Sequence, residues 1–216
     1  DAAPDTGTVT DIDGNTYKTI KIGDQWWMAE NLRVAHYRNG HALLKIKHLN
    51  DWKNLTSGAF CSYDNNDANA DTCGYLYNWY AVNDNRNIAP EGWHVPTDEE
   101  WKQLEMALGM SESETDNSGQ RGSNQGSQLA GNDSFWTDGV LDDDPEFSTS
   151  GFSALPAGWR NESVDFLEWG DSAVFWSRTE STGSAAWSRQ LKFYFAKINR
   201  NASNKRRGFS IRCIKD

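Results

Sequence analysis

The sequence has 216 residues, carries a net charge of −10 at pH 7 and contains 11 Trp, 9 Phe and 7 Tyr. The acidic balance argues against nucleic acid as a partner, since phosphate binding needs a basic surface. No apolar run approaches the roughly 18 residues of a membrane-spanning helix. The length fits one large domain, whose core we expect to be mainly aromatic because aliphatic residues are sparse.

The first elements in chain order are short strands. Val9–Asp11 and Tyr17–Ile22 flank Asp13-Gly14, a dipeptide typical of hairpin turns. A second turn at Gly23-Asp24 leads into Gln25–Met28. The pattern predicts a small antiparallel meander.

The clearest helix begins after Thr97. Thr97 and Glu100 have the spacing of a capping box, in which each side chain bonds to the backbone N–H of the other residue. Trp101, Leu104 and Leu108 follow at spacings that place them on one side of a helix. We therefore expect an amphipathic helix that packs this stripe against the core.

The remaining segments indicate strands and loops. Residues 74–83, GYLYNWYAVN, are almost continuously apolar, which fits either a core helix or a short inner strand. Residues 111–126 are rich in Gly and Ser and are predicted to be a surface loop. Short strands are predicted at Phe152–Leu155, Phe166–Trp169, Ala173–Ser177, Ala186–Phe195 and Phe209–Ile214. Many short strands with one clear helix predict an α+β fold rather than a βαβ array.

Seven segments, in order along the chain, resemble one known family. They are IKIGDQWWMAENLR at 20–33, GYLYNWYAV at 74–82, PEGWHVPTDEEW at 90–101, GSQLAG at 126–131, SGFSALPAGWR at 150–160, AVFWSRT at 173–179 and GFSIRCIKD at 208–216. Together they are similar to the Fibrobacter succinogenes major paralogous domain. The similarity implies a single domain over residues 8–216, preceded by a flexible N-terminal tether at residues 1–7.

The resemblance implies a C-type lectin-like fold, with short antiparallel strands, one or two helices and long loops. The family occurs on exported proteins and lipoproteins, mostly of Bacteroidetes and Fibrobacteres. We therefore expect an exported protein, at the cell surface or in the periplasm, with a lipid anchor upstream of residue 1. The small, polar residues 1–7 fit a tether that follows a removed export signal.

The three cysteines are Cys61, Cys73 and Cys213. Cys61 and Cys73 flank an Asn/Asp-rich segment, which a disulfide can close in an oxidising compartment; two free thiols are the alternative. The pair also matches cysteine positions of the family. Many relatives have a cysteine where this chain has Ala89, so the resemblance implies that Cys213 stays free and buried.

Calcium is the one cofactor that the sequence suggests. Asp67, Asn69 and Asp71 alternate in the way that oxygen ligands do in calcium loops. The pattern is incomplete, because no Gly follows at the expected place and no Glu completes the loop. An ordinary Asn/Asp-rich turn is the alternative. The Glu-Pro-Asn and Gln-Pro-Asp tripeptides of calcium-dependent lectins are absent.

No motif predicts catalysis. The chain has no G-x-S-x-G segment, and its three histidines between residues 36 and 48 lack zinc-site spacing. His94 is expected to be structural, with its ring hydrogen-bonded to the backbone. Formylglycine-generating enzymes, which the family distantly resembles, use two terminal cysteines, whereas this chain has only Cys213 there. We predict that the protein is not an enzyme; a carbohydrate hydrolase using two acidic residues is the alternative.

The C-terminal segment 185–207 is the candidate binding surface. Apolar and polar residues alternate along it, and its Trp, Tyr, Arg and Asn residues are types that binding sites favour. C-type lectin-like folds commonly bind ligands in this region, and some relatives diversify it. An ordinary edge strand with a solvated loop is the alternative. The predicted ligand-binding residues are Trp187, Arg189, Lys192, Tyr194, Lys197, Asn199, Arg200 and Asn201.

These observations together predict an extracytoplasmic, non-catalytic binding module. Its expected ligand is a glycan or a cell-surface protein. A structural module of a larger surface assembly is a further alternative, and it predicts a wide, flat, apolar patch.

Overall fold

The computed structural model describes residues 4–163 and 165–216. These residues form fourteen strands: β1 (Thr6–Thr10), β2 (Thr16–Ile22), β3 (Gln25–Met28), β4 (Leu44–Lys45), β5 (Ala59–Cys61), β6 (Leu76–Tyr77), β7 (Trp93–His94), β8 (Gly119–Arg121), β9 (Ala157–Arg160), β10 (Phe166–Trp169), β11 (Ser172–Thr182), β12 (Ala185–Lys192), β13 (Phe195–Asn204) and β14 (Ile214–Lys215). The same residues form six short helices: α1 (Leu49–Trp52), α2 (Asp67–Cys73), α3 (Trp79–Val82), α4 (Asp98–Ala107), α5 (Glu112–Thr115) and α6 (Gln125–Leu129). Fourteen strands and few short helices make the domain α+β or mostly β, in agreement with the predicted α+β class. Within the described ranges, no helix is long and apolar enough to span a bilayer.

A five-stranded antiparallel sheet joins distant parts of the chain. Its order is β1-β2-β3-β14-β7. The predicted meander is confirmed, with Gly14 and Gly23 at its turns in left-handed conformations that favour glycine. Ile214 of β14 pairs with Trp27 of β3 on one side and with His94 of β7 on the other.

The first strand begins inside the segment predicted to be a tether. Thr6 and Gly7 pair with Ile20 and Thr19 of β2, so these two residues belong to the sheet. Ladder pairing of this kind depends on the backbone, and the small, polar composition of residues 1–7 does not reveal it. Residues 1–3 of the predicted tether lie outside the described residues.

A six-stranded sheet carries the C-terminal half of the domain. Its order is β10-β9-β11-β12-β13-β8, with β11, β12 and β13 as a long antiparallel centre. The prediction of one strand over Ala186–Phe195 is wrong, because the chain turns at Phe193 and Tyr194 and returns as β13. The predicted strand Phe152–Leu155 is also wrong, since only Ala154 forms an isolated bridge there.

The strand register assigns each side chain of this sheet to one of two faces. Arg189 pairs with Phe175 and Arg200, and these side chains lie on the face that packs against α4, called the inner face. Gln190 pairs with Val174 and Asn199 on the opposite side, called the outer face.

Helix α4 supports the inner face. Its predicted capping box is present, with Thr97 and Glu100 each bonding to the backbone N–H of the other. Trp101 and Leu104 are fully buried, and the Trp101 ring centroid lies 4.9 Å from that of Trp27 in the other large sheet. The core between the two sheets is therefore aromatic, as the composition predicts.

Candidate ligand-binding cleft

The eight predicted ligand-binding residues do not form one surface. The register of β12 and β13 places three of them on the inner face: Trp187, Arg189 and Arg200. It places three others on the outer face: Lys192, Asn199 and Asn201. The last two are exposed, Tyr194 in the β12–β13 turn and Lys197 on β13.

The two inner-face arginines hold α4 to the sheet. Arg189 is fully buried and donates to Asp98 Oδ1 at 2.7 Å and to Glu105 Oε1 at 2.6 Å. Arg200 donates to Asp98 Oδ2 at 2.7 Å, and its guanidinium carbon lies 3.6 Å from the ring centroid of Trp187. Burial of Asp98 opposes its ionisation, but the bonds from Arg200 and Arg189 outweigh burial and lower its pKa. Arg189 and Arg200 are therefore buried in contacts between α4 and the sheet, and the half-buried Trp187 stacks on Arg200.

The outer face carries a polar cleft of about 330 Å³. Of the predicted residues, Lys192 and Asn201 line it, whereas Asn199 lies on the same face beyond the cleft. The lining residues are Trp159, Glu168, Val174, Ser188, Gln190, Lys192, Asn201, Ala202, Ser203, Arg207 and Phe209. Five strands and the segment before β14 therefore contribute to one concavity.

Glu168 is the centre of this cleft. Its Oε2 accepts hydrogen bonds from Trp159 Nε1 at 3.0 Å and from Gln190 Nε2 at 3.2 Å. Its Oε1 accepts from Lys192 Nζ at 2.7 Å. Burial of Lys192 disfavours its charge, but the bond to Glu168 prevails and raises the pKa of Lys192. One carboxylate thus holds side chains from three other positions in fixed orientations.

The backbone of Glu168 is strained in a way that serves this arrangement. Its φ of 61° lies in the left-handed region, which is uncommon for a residue with a side chain. Such a conformation costs of order 1–3 kcal/mol and persists where the surrounding structure enforces it, often at functional sites. Phe166 and Trp169, on the same strand, pack against Tyr63, with ring centroids 5.1 and 4.8 Å away. The left-handed residue therefore lets β10 send one side chain into the cleft while its neighbours pack elsewhere.

Arg207 and the aromatic residues complete the other side of the cleft. Arg207 Nε donates to Glu162 Oε2 at 2.8 Å, and its guanidinium carbon lies 5.1 Å from the Trp159 ring centroid. Phe209 meets the Trp159 ring edge-on at 6.0 Å. The cleft therefore combines an aromatic wall with amide, hydroxyl, ammonium and carboxylate groups.

The sequence predicted only part of this cleft. Trp159, Glu168, Gln190 and Arg207 were not among the predicted ligand-binding residues. The segment Phe166–Trp169 is a strand as predicted, but alternation alone does not indicate a left-handed residue inside it. The following Gly170, also left-handed, is the one local signal of an irregular backbone.

The residues predicted to bind calcium lie in a helix. Asp67, Asn69 and Asp71 belong to α2, where residues two apart point in different directions. Asp67 Oδ1 is occupied by Lys45 Nζ at 2.6 Å and Ser62 Oγ at 2.5 Å, and the bond from Lys45 lowers the pKa of Asp67. The alternation that suggested calcium ligands in a loop is therefore not a ligand set. Across residues 4–163 and 165–216, no group of three or more His, Cys, Asp or Glu side chains is arranged to hold a metal ion.

The cysteine pair is not bridged. Cys61 and Cys73 are both buried free thiols, which corrects the predicted disulfide. Cys61 lies in β5 opposite Leu76, whereas Cys73 ends α2 and its carbonyl accepts a bond from Asn31. Burial raises the pKa of Cys61 to about 12 and that of Cys73 to about 11. Cys213 is free and buried, as predicted.

The His94 ring was expected to bond to the backbone, but its two nitrogens lie against carboxylates instead. Nδ1 lies 2.6 Å from Asp216 Oδ1, and Nε2 lies 2.7 Å from Glu100 Oε1. The bond to Glu100 opposes desolvation and raises the pKa of His94, with a further contribution from Asp216. The ring links β7 and the first turn of α4 to the segment after β14.

Fold and site together define an α+β domain with a polar, aromatic-walled cleft on one face of its larger sheet. Residues 20–215 match the family described as the Fibrobacter succinogenes major domain. The chain belongs to this family, as the motifs at residues 20–33 through 208–216 predicted. No curated protein and no solved structure gives a significant match.

Proposed function

We propose that the domain is an extracytoplasmic, non-catalytic binding module that recognises a glycan through the outer-face cleft. The observation that supports this most is Glu168, a carboxylate held by Trp159, Gln190 and Lys192 at the centre of a concave polar surface. Pre-oriented polar groups lose little entropy on binding, which favours affinity for a small polar ligand.

The chemistry of the cleft suits sugar hydroxyl groups. A hydroxyl both donates and accepts hydrogen bonds, and the cleft offers the acceptor Glu168 beside donor and acceptor groups of Gln190, Asn201 and Ser188. The cations are already balanced, Lys192 by Glu168 and Arg207 by Glu162. The arrangement therefore favours an uncharged polyol over a strongly ionic ligand.

The alternatives fit the cleft less well. A glycoside hydrolase needs two carboxyl groups roughly 5–10 Å apart. Glu168 is the one carboxylate among the described residues that line the cleft. A protein ligand needs about 800 Å² of matching surface on each partner, which a small concave cleft does not supply alone. A glycan is therefore the ligand class that we favour, with a surface protein as the alternative.

Export and a C-type lectin-like fold are part of the same proposal. Membership of the family supports both, because the family resemblance of the sequence implies export and that fold. The many short strands and the long connections of the α+β domain are compatible with it. Superposition of an experimentally determined structure on C-type lectin-like domains would test the fold proposal.

The binding proposal is tested with the labelled domain on a glycan array. Glycans that bind are then titrated calorimetrically against Asn201→Ala, with Asn199→Ala as the matched control. Both asparagines lie on the outer face of β13, but only Asn201 lines the cleft. Loss of one or two hydrogen bonds to a neutral ligand costs about 0.5–1.5 kcal/mol each, so we expect a roughly 2- to 150-fold loss of affinity for Asn201→Ala.

Glu168→Gln supplies a second variant, because it keeps the shape but removes the charge that orients Lys192. We expect it to weaken binding at least as much as Asn201→Ala. If no glycan on the array binds, but the domain captures a defined surface protein and both cleft variants abolish that capture, the ligand is a protein rather than a glycan. Equal affinities for the wild type and both cleft variants would refute the cleft as the binding site.

A further inference from the structure

A second and larger cleft lies beside the five-stranded sheet. Its volume is about 850 Å³, and it shares no lining residue with the outer-face cleft. The lining residues come from β1, β2, the segment after β3, the end of α2, two loops and the segment before β14, which contributes Arg212. It is large enough for a small organic molecule.

Arg212 forms the floor of this cleft and is only 1% exposed. Its Nε donates to Asn31 Oδ1 at 2.6 Å, and its Nη1 donates to the carbonyls of Met28, at 3.1 Å, and Phe152. Its Nη2 donates to the carbonyl of Ser153 at 2.9 Å. These four bonds leave one of the five N–H groups of the guanidinium without a protein acceptor among the described residues.

The charge of Arg212 is not matched by a neighbouring carboxylate. The other arginines beneath the sheets are paired: Arg121 with Glu105, and both Arg189 and Arg200 with Asp98. Within the described residues, Arg212 forms no ion pair, and its four acceptors are neutral. Burial lowers its pKa, and the more distant charge of Glu30 opposes that effect only in part. A buried cation without a partner is costly, and an anion entering from the cleft would supply one.

The walls above Arg212 are largely apolar. Ile20, Ala29, Phe135 and Leu155 provide hydrocarbon and aromatic surface, and Phe135 is 37% exposed. The fully buried Phe152 ring packs against the same guanidinium, 4.6 Å from its carbon. The floor thus favours a negative charge, whereas the walls favour an apolar body.

The rim carries charges of both signs, the carboxylates of Glu30 and Asp71 and the ammonium group of Lys18. The Glu30 carboxylate accepts a bond from the backbone N–H of Lys18 at 2.6 Å, and Asp71 is exposed at the end of α2. Their negative charge repels small inorganic anions, which gain nothing from the apolar walls. A ligand needs both features to bind well.

We propose that this cleft is a second ligand-binding site, which takes a small molecule with one carboxylate and an apolar body, the carboxylate pairing with Arg212. The site is independent of the outer-face cleft and of the glycan that we propose for it.

The test uses benzoate as the probe and benzamide as its neutral counterpart of the same shape. Each is titrated into the ¹⁵N-labelled domain, and amide chemical shifts are followed by NMR. We expect benzoate to shift the amides of Asn31, Gly151 and Ser153 but not that of Asn201, with a Kd at least about tenfold below that of benzamide. Equal affinities of the two probes, or shifts spread evenly over the surface, would overturn the proposal.

Two variants sharpen the test without removing Arg212 from the core. Thr72→Trp places a bulky ring at the wall of the cleft and is expected to abolish binding, whereas Thr56→Trp, at an exposed loop position outside the cleft, is the control. Glu30→Gln removes a repelling charge and is expected to tighten benzoate binding several-fold. Glu91→Gln, exposed elsewhere, controls for the change in net charge. Unchanged affinity in Glu30→Gln and Thr72→Trp would refute the site.

Discussion

Replacing Glu105 by Gln removes one charge from the ionic cluster between α4 and the six-stranded sheet. Glu105 is fully buried and contacts Arg189 Nε at 2.6 Å and Arg121 Nη2 at 2.7 Å. The glutamine has the same shape, but its amide NH₂ group faces a guanidinium. Arg189 would then keep Asp98 as its carboxylate partner, whereas Arg121 would be left without one among the described residues.

The size of the effect follows from the desolvation of the arginines. Removing one partner of a buried ion pair lowers the free energy of unfolding by about 3–5 kcal/mol, because the remaining charge stays buried without its partner. With a urea m-value of roughly 3 kcal/mol/M for a domain of this size, the unfolding midpoint should fall by about 1–2 M.

Urea denaturation followed by tryptophan fluorescence measures this shift. The control is Glu99→Gln on the same helix, where the carboxylate is 75% exposed and pairs with Lys102 at 2.7 Å. An exposed pair contributes at most about 1 kcal/mol, so the control midpoint should move little. If Glu105→Gln and Glu99→Gln shift the midpoint equally, the cluster does not hold α4 to the sheet in the way that the structure indicates.

Two further predictions concern titration and thiols. The raised pKa of His94 stabilises the fold fully below the unfolded value of 6.5, and this stabilisation is lost as pH rises through the folded pKa. The difference in unfolding free energy between the wild type and His94→Gln should therefore be larger near about pH 6 than near about pH 9. Replacement of the exposed His41 by Gln is the control. A difference that does not change with pH would contradict the stabilising contacts of His94 with Glu100 and Asp216. The three cysteines should react slowly with a chromogenic thiol reagent in the folded protein, and all three should react after unfolding without reductant. If only one thiol reacts after unfolding, Cys61 and Cys73 instead form the predicted disulfide.

Local signals in the sequence predicted the elements that are held by local interactions. The capping box of Thr97 and Glu100 and the turns of the N-terminal meander depend on residues within a few positions of one another. Their geometry is therefore encoded in short patterns. The α+β class followed from the number of such elements.

The binding surface was predicted less well, because contacts with distant residues determine which face of the sheet is buried. Alternation along β12 shows that Arg189 and Gln190 point to opposite faces, but it does not show which face is buried. The partner of Arg189 is Asp98, 91 residues away on α4. The turn at Phe193 and Tyr194 contains none of the Gly, Asn or Asp residues that mark hairpins, so the hairpin was missed.

The pairing of β14 with β3 determines the order in which the domain can be completed. Ile214 and Trp27 lie 187 residues apart in sequence (214 − 27) yet are neighbours in one sheet. Closing so long a loop is entropically costly and slows folding. During synthesis the N-terminal hairpins can form early, but the free side of β3 stays without its neighbour until nearly the entire domain has been translated. An exposed strand edge of this kind invites association with other chains, so the interval before β14 arrives is the stage at which the nascent protein depends most on protection from aggregation.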